Sequence, residues 1–278
     1  MKYAVLVVLS LAVGCASAPP KKGAVDPPKD PAIAIVKTDL PRETIHLPSA
    51  TPEKHFATAQ HAVAEGKYGE ARASLDQAIG MKPDWAEAYL LRGNVAALQG
   101  EASVAFADYD RAVTYRPDLV DALVARAQAS LALDQIDLAI ADFDRAIMVA
   151  PRRAPIHYQK ALAHFARNDD IKALSSVNQA IVIDPLHAES YRLRAQLDLF
   201  AKDYPKAIED ASRAIELTPG DQQAGFASAR AWAVRGNARL LSGDKAGAKK
   251  DFENAVRLDP SLTDELRAKL LNLEHEGK

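Results

Sequence analysis

Side chains that make or break bonds are few in this chain and widely spaced. Seven histidines and one cysteine are its whole supply of soft metal ligands and thiols. His157 and His164 stand seven residues apart, two turns along one helix face, and His187 closes the same stretch. Without a cysteine or a facing carboxylate they make a weak zinc set, and packing or surface histidine is the better reading. No G-x-S-x-G, phosphate-loop or dinucleotide glycine pattern occurs. No catalytic residue, metal or cofactor is therefore expected.

What recurs instead is polar chemistry at fixed spacing. Arg92, Arg126, Arg194 and Arg235 are each followed sixteen residues later by an acid: Asp108, Asp142, Asp210 and Asp251. A row of cations, extended by Lys160, would suit an acidic ligand. Yet arginine and aspartate vanish together, because Ser74 answers Thr58 and Ser176 answers Lys160. That is the behaviour of an ion pair bridging two helices, each contributing up to about 1 kcal/mol if partly exposed. Amides recur as well, at Gln60, Asn94, Gln128, Gln196 and Asn237, with Leu162 the one interruption. A primary amide both donates and accepts, so such a row can grip the backbone of an extended peptide whatever its sequence. Three residues further on, Val63, Ala97, Leu131, Phe165, Leu199 and Leu240 offer apolar pockets. The plainer alternative is that the amides are simply the polar residue a helical stack tolerates.

The elements that carry these residues follow a 34-residue frame. Pro83, Pro117, Pro151, Pro185 and Pro219 are evenly spaced by that interval. Within 86–119 the pattern predicts two short helices, Glu87 to Leu98 and Ser103 to Tyr115, broken at Gln99-Gly100-Glu101 and stopped by Pro117. One alanine of the second helix recurs without a gap (Ala71, Ala105, Ala139, Ala173, Ala207, Ala248), and so does another seven residues on. The matching site of the first helix is always small: Ala59, Gly93, Ala127, Ala161, Ala195 and Gly236. This period and helix–turn–helix pattern resemble the tetratricopeptide repeat. A large aromatic usual in that family is replaced here by Ala62, Ala96, Ser130, His164, Asp198 and Arg239.

The resemblance implies an all-α fold, a right-handed α-solenoid of six helix pairs with a C-terminal capping helix, filling residues 52–278. The repeats are predicted at 52–85, 86–119, 120–153, 154–187, 188–221 and 229–262. It also implies that the first helices line the concave side, where the amides and apolar residues would form a groove. Lysines that chaperone-tail adaptors of the family use to clamp a terminal carboxylate are missing. Phe56, Leu90, Val124, Tyr158 and Ala233 stand there, with Arg192 the one base. Pro219 to Pro260 spans 41 residues, seven more than the frame. Seven residues add about two turns, so a long helix capped by Asp221 is predicted over about 222–241, its extra turns (222–228) projecting beyond the neighbouring repeats. A capping helix at about 263–275 should bury Leu266, Leu270 and Leu273 and turn Glu265, Lys269 and Glu276 outward.

Ahead of the repeats, residues 1–14 carry Lys2 and an apolar run, Tyr3 to Val13, that matches a secretory signal peptide. Ala16-Ser17-Ala18 looks like an ordinary cleavage site but is followed by Pro19, which disfavours it. Ala12-Val13-Gly14-Cys15 resembles a bacterial lipobox, departing from it at Ala12, where leucine is usual. That resemblance implies a lipidated Cys15, and Ala16 after it implies delivery to the bacterial outer membrane, facing the periplasm. Residues 15–51 would then be the lipidated cysteine and a linker, and the stretch from Ala16 to Pro52 holds eight of the chain's sixteen prolines. Proline removes donors and favours extended backbone. The linker should reach between roughly 30 Å and about 110 Å.

A net charge of −2 and 6% aromatic residues argue against a nucleic-acid surface. The expected function is a non-enzymatic, lipid-anchored scaffold that binds a protein or peptide in its groove. In plan it is similar to repeat lipoproteins that serve as pilotins for pilus secretins or recruit cell-wall enzymes. The alternative is a polysaccharide- or peptidoglycan-binding envelope protein.

Overall fold

A computed structural model describes residues 50–218 and 225–275. Cys15, the leader and nearly all of the linker lie outside the described residues, as do Asp221, Gln222 and Glu276. The described residues form thirteen α-helices. First helices of the pairs are α1 (Pro52–Ala64), α3 (Ala86–Leu98), α5 (Val120–Ala132), α7 (Ala154–Ala166), α9 (Ala188–Phe200) and α11 (Gly225–Ser242). Their partners are α2 (Tyr68–Met81), α4 (Ala102–Tyr115), α6 (Ile136–Val149), α8 (Asp170–Ile183), α10 (Tyr204–Leu217) and α12 (Lys245–Leu258). After a 3-10 turn at Pro260–Leu262, α13 (Thr263–His275) closes the stack. Each first helix packs on its own partner, and each partner packs on the first helix that follows. The result is the right-handed solenoid of six helix pairs.

The turn inside each pair has one conformation, built from different residues. Gly66, Gly100, Asp134, Asn168, Lys202 and Gly243 all have positive φ, between 60° and 96°. Asn and Asp enter that left-handed region more easily than other residues with a Cβ, and lysine carries the full steric penalty. The next residue starts the second helix. Asp169, Asp203 and Asp244 cap it by accepting from Lys172, Lys206 and Gly247 backbone N–H, whereas Lys67, Glu101 and Gln135 make no such bond.

Small residues let the two helices close up. The recurring alanines Ala71, Ala105, Ala139, Ala173, Ala207 and Ala248 are fully buried. At Gly93 and Gly236 a Cβ would lie 2.6 Å from the rings of Tyr109 and Phe252, so glycine is what admits an aromatic opposite. Phe143, Phe252, Leu75, Leu123 and Leu193 are the largest side chains sealed between layers.

The last pair differs as the longer proline interval predicts: the described part of α11 has 18 residues where the other first helices have 13. Ser228 is buried, so the packed part of α11 begins within the stretch expected to project. In α13, Leu266 and Leu273 are buried and Leu270 packs against them beside Phe252, Ala248 and Ala255. Lys269 does not turn outward. Its Nζ donates to Asn237 Oδ1 at 2.7 Å and lies 5.7 Å from the Phe252 ring centre. Burial pushes its pKa down. Among the described residues no helix is long and apolar enough to cross a membrane.

Candidate functional site

The arginine–aspartate spacing becomes a set of forked ion pairs. Arg126 donates from Nε and Nη2 to the two Asp142 oxygens at 2.7 and 2.6 Å. Arg92 meets Asp108 the same way at 2.9 and 2.6 Å, Arg194 meets Asp210 at 2.6 and 2.8 Å, and Arg235 meets Asp251 at 2.9 Å twice. Two parallel charge-assisted bonds fix the angle between the helices as well as their distance. Hydrogen bonds from these arginines to their aspartates hold the Arg92, Arg126 and Arg194 pKa above the usual guanidinium range.

Each arginine also uses its remaining Nη1 to reach the preceding repeat, which the sequence reading missed. Arg92 donates to Asp76 at 2.7 Å, Arg126 to Asp110 at 2.6 Å, Arg194 to Asn178 at 2.8 Å and Arg235 to Ser212 at 3.0 Å. Lys160 meets Asp144 at 2.6 Å. Asp76, Asp110, Asp144, Asn178 and Ser212 are spaced by 34, so the frame contained the signal. It stands two residues past the in-repeat partner position, as in Asp108-Tyr109-Asp110 and Ser176-Val177-Asn178. The ladder is therefore structural on both sides, and these cations are not free for a ligand.

The groove is a stripe of half-buried residues on the first helices. On α5 it runs Val124, Gln128, Leu131, and on α9 Arg192, Gln196, Leu199, each one turn or so apart on a single face. Gln60 is more exposed, at the open end of the stack. Not all of the amides are available. Asn94 Oδ1 accepts from the Tyr109 hydroxyl at 2.9 Å, and Asn237 is occupied by Lys269. Asn237 thus belongs to the seal between α11 and α13, which corrects its expected role. Among the described residues the side chains of Gln60, Gln128 and Gln196 make no hydrogen bond. Leu131 packs on the core beneath the stripe, Phe165 stacks on Phe200 at 5.8 Å and 19°, and Leu199 lies alongside, half-buried.

The histidines are held separately. His157 Nε2 bonds the Pro151 carbonyl at 2.9 Å, and His187 Nδ1 bonds Ser190 Oγ at 2.8 Å. His164 Nδ1 is buried without a partner, and burial, with Lys160 nearby, lowers its pKa. No group of three His, Cys, Asp or Glu among the described residues is placed to hold a metal.

Sequence profiles of the tetratricopeptide repeat match residues 56–120, 120–153 and 229–262. The chain carries tetratricopeptide repeats. Proteins built from such repeats are generally non-catalytic scaffolds that bind other proteins. No curated protein matches the chain in sequence. Among solved structures, PilF of Pseudomonas aeruginosa is similar, at TM-score 0.63 and 14% identity, covering 78% of this chain and 97% of its own. A tetratricopeptide repeat protein of Parabacteroides merdae matches at 0.57 and 17%, covering 80% and 98%. MamA of Desulfovibrio magneticus matches at 0.57 and 20%, covering 60% and 94%. At these identities the likeness is one of fold.

Proposed function

We propose that this tetratricopeptide-repeat chain is a scaffold whose first-helix groove holds an extended segment of a partner protein. One observation carries the reading: Gln128 and Gln196 sit half-buried on the stripe with their amides unused, flanked by Leu131, Phe165 and Leu199. Both amides reach solvent, and a peptide backbone supplies the donor and the acceptor that would replace water there. Capture of partners from solubilised envelopes tests this. Gln128→Ala with Phe165→Ala should lose a partner that the parent chain retains, while circular dichroism stays helical. Retention of every partner would count against the groove.

The finer proposal places this scaffold on the periplasmic face of a bacterial outer membrane, anchored through lipidated Cys15 and held off by the proline-rich linker. There it would serve envelope assembly, as a pilotin-like or cell-wall-enzyme-recruiting protein. The lipobox-like Ala12-Val13-Gly14-Cys15 and the prolines of 16–52 support it. Metabolic labelling with radioactive palmitate should mark the parent chain and not Cys15→Ala; equal labelling would remove the anchor. The polysaccharide alternative wants exposed rings, and the half-exposed ring on this stripe, Phe200, is already stacked on Phe165.

A further inference from the structure

Second helices end, and first helices begin, along one edge of the stack, where short turns such as 82–85 and 150–153 join successive pairs. Most repeats keep that edge polar. Near the end of the second helix stand Gly80, Thr114, Met148, Val182 and Glu216, all exposed. In the turn that follows stand Asp84, Asp118, Arg152 and Leu186, exposed as well. The frame needs no apolar side chain at either position, since glycine, threonine, glutamate and aspartate serve there. Repeats three and four nevertheless place Met148, Val182 and Leu186 at them, 83%, 73% and 68% exposed, with exposed Val149 beside Met148. The acids around them are occupied. Asp144 meets Lys160 at 2.6 Å, Asp121 meets Arg153 at 2.9 Å, and Glu189 faces His187 at 3.9 Å. Asp184 accepts from the Leu186 backbone N–H at 3.0 Å. Arg152 makes no ion pair among the described residues.

We propose that this edge of repeats three and four rests on the lipid surface to which the chain is anchored. Met148, Val149, Val182 and Leu186 enter the acyl boundary, and Arg152 meets the headgroup phosphates. The inference rests on the Cys15 anchor proposed above and says which face of the scaffold turns to the membrane. α1 starts on the same edge, at Pro52, so the chain arriving from Cys15 joins the stack on the side that carries these residues. An edge lying on the bilayer needs the linker only to run along the surface, within its coiled reach of roughly 30 Å. Fluid acyl chains close around separate apolar side chains whatever their outline, whereas a protein partner needs a matched shape. The groove stays open in this pose. Its stripe lies along the first helices, at mid-helix residues such as Gln128 and Gln196, and not at their membrane-facing ends. The opposite edge, where Ile171 is 85% exposed at the start of α8, points away from lipid.

The test uses the chain as cells process it, purified in detergent and reconstituted into vesicles of phosphatidylethanolamine and phosphatidylglycerol. An acylated Cys15 leaves any introduced cysteine as the single free thiol, because the sequence holds no other. Nitrobenzoxadiazole attached at Met148→Cys should be blue-shifted. Doxyl-labelled phospholipid should quench it several-fold more than the same dye at Ile171→Cys on the opposite edge. Val182→Asp with Leu186→Asp, both at exposed positions, should abolish that quenching while circular dichroism stays helical. Arg152→Glu should weaken it, and more so as the phosphatidylglycerol fraction rises. Equal quenching at the two sites, or none at Met148→Cys, overturns the proposal. So does a blue shift without quenching, which would seat a second copy of the chain on this edge instead. Two dyes per chain by mass spectrometry would mean an unacylated Cys15, removing the anchor and this inference together. One dye, with the palmitate label present and quenching absent, would sink this inference and leave the anchor standing.

Discussion

Asp142 and Asp110 hold the same guanidinium from opposite sides, but Asp142 is 1% exposed and Asp110 is 51% exposed. Removing the buried partner strands a desolvated Arg126, so Asp142→Ala should cost about 3–5 kcal/mol. Asp110→Ala should cost less than about 1 kcal/mol. Urea unfolding compares them, and equal losses would mean that burial does not set the strength of the ladder. Asp198 makes the opposite case. Burial, with Asp210 and Asp203 nearby, raises its pKa despite Lys206 and Arg194. A carboxyl whose folded value exceeds its unfolded value takes up its proton first in the native state, so its contribution is favourable in acid and lost as pH rises. Asp198→Ala, which copies Ala62 and Ala96 at the same repeat position, should raise the unfolding midpoint at pH 7, and the gain should fade towards pH 4. A gain that did not change with pH would point to packing instead. The in-repeat pairs were legible because both members recur and both drop out together. Their backward partners were not, since Asp76, Asn178 and Ser212 differ in chemistry, and no single residue type marked the position.

Among the elements, the second helices of the six pairs begin with one backbone geometry and unequal capping. Gln135 has φ −91° and ψ 61° with no side-chain cap, while Asp169 has −101° and 72° and caps Lys172. Gln135→Asp should therefore stabilise by about 1 kcal/mol. In the residue just before, Lys202→Gly should relieve about 1 kcal/mol of left-handed strain. Thermal melts of the two variants check both, and a loss in either would mean the turn is already relaxed. Helix boundaries inside the repeats were readable from proline and glycine within a residue or two, and α13 covers the stretch where the leucine spacing placed it. The Lys269–Asn237 bond was hidden, because it joins the closing helix to a repeat position and so belongs to no repeating pattern.

Across the whole molecule, the ladder is unevenly strong. The first three junctions between repeats are ionic, through Asp76, Asp110 and Asp144, whereas the last two rest on Asn178 and Ser212. Repeat four, α7 with α8, also lacks an internal fork and buries His164 Nδ1 without a partner. Cooperative units come apart where neighbouring contacts are weakest. Amide hydrogen exchange should accordingly be faster in α7 and α8 than in α5 and α6. Lys160→Arg with Ser176→Asp should slow it, by restoring the fork. Uniform exchange along the stack would show that apolar packing outweighs the charges.

The acids two residues apart on α4 and α6 have one more consequence. Asp108 completes a bond inside its own unit, while Asp110 offers a half-bond that only the following unit can accept. The units are thus polar building blocks with a head and a tail, and their order along the chain is written into which tail meets which head. Duplicated or reshuffled copies of repeats two and three should join as well as the originals do, whereas repeat one, with Thr58 at the head position, fits only at the start. A junction that sets the Asn178 or Ser212 tail before a new head would be the loose one.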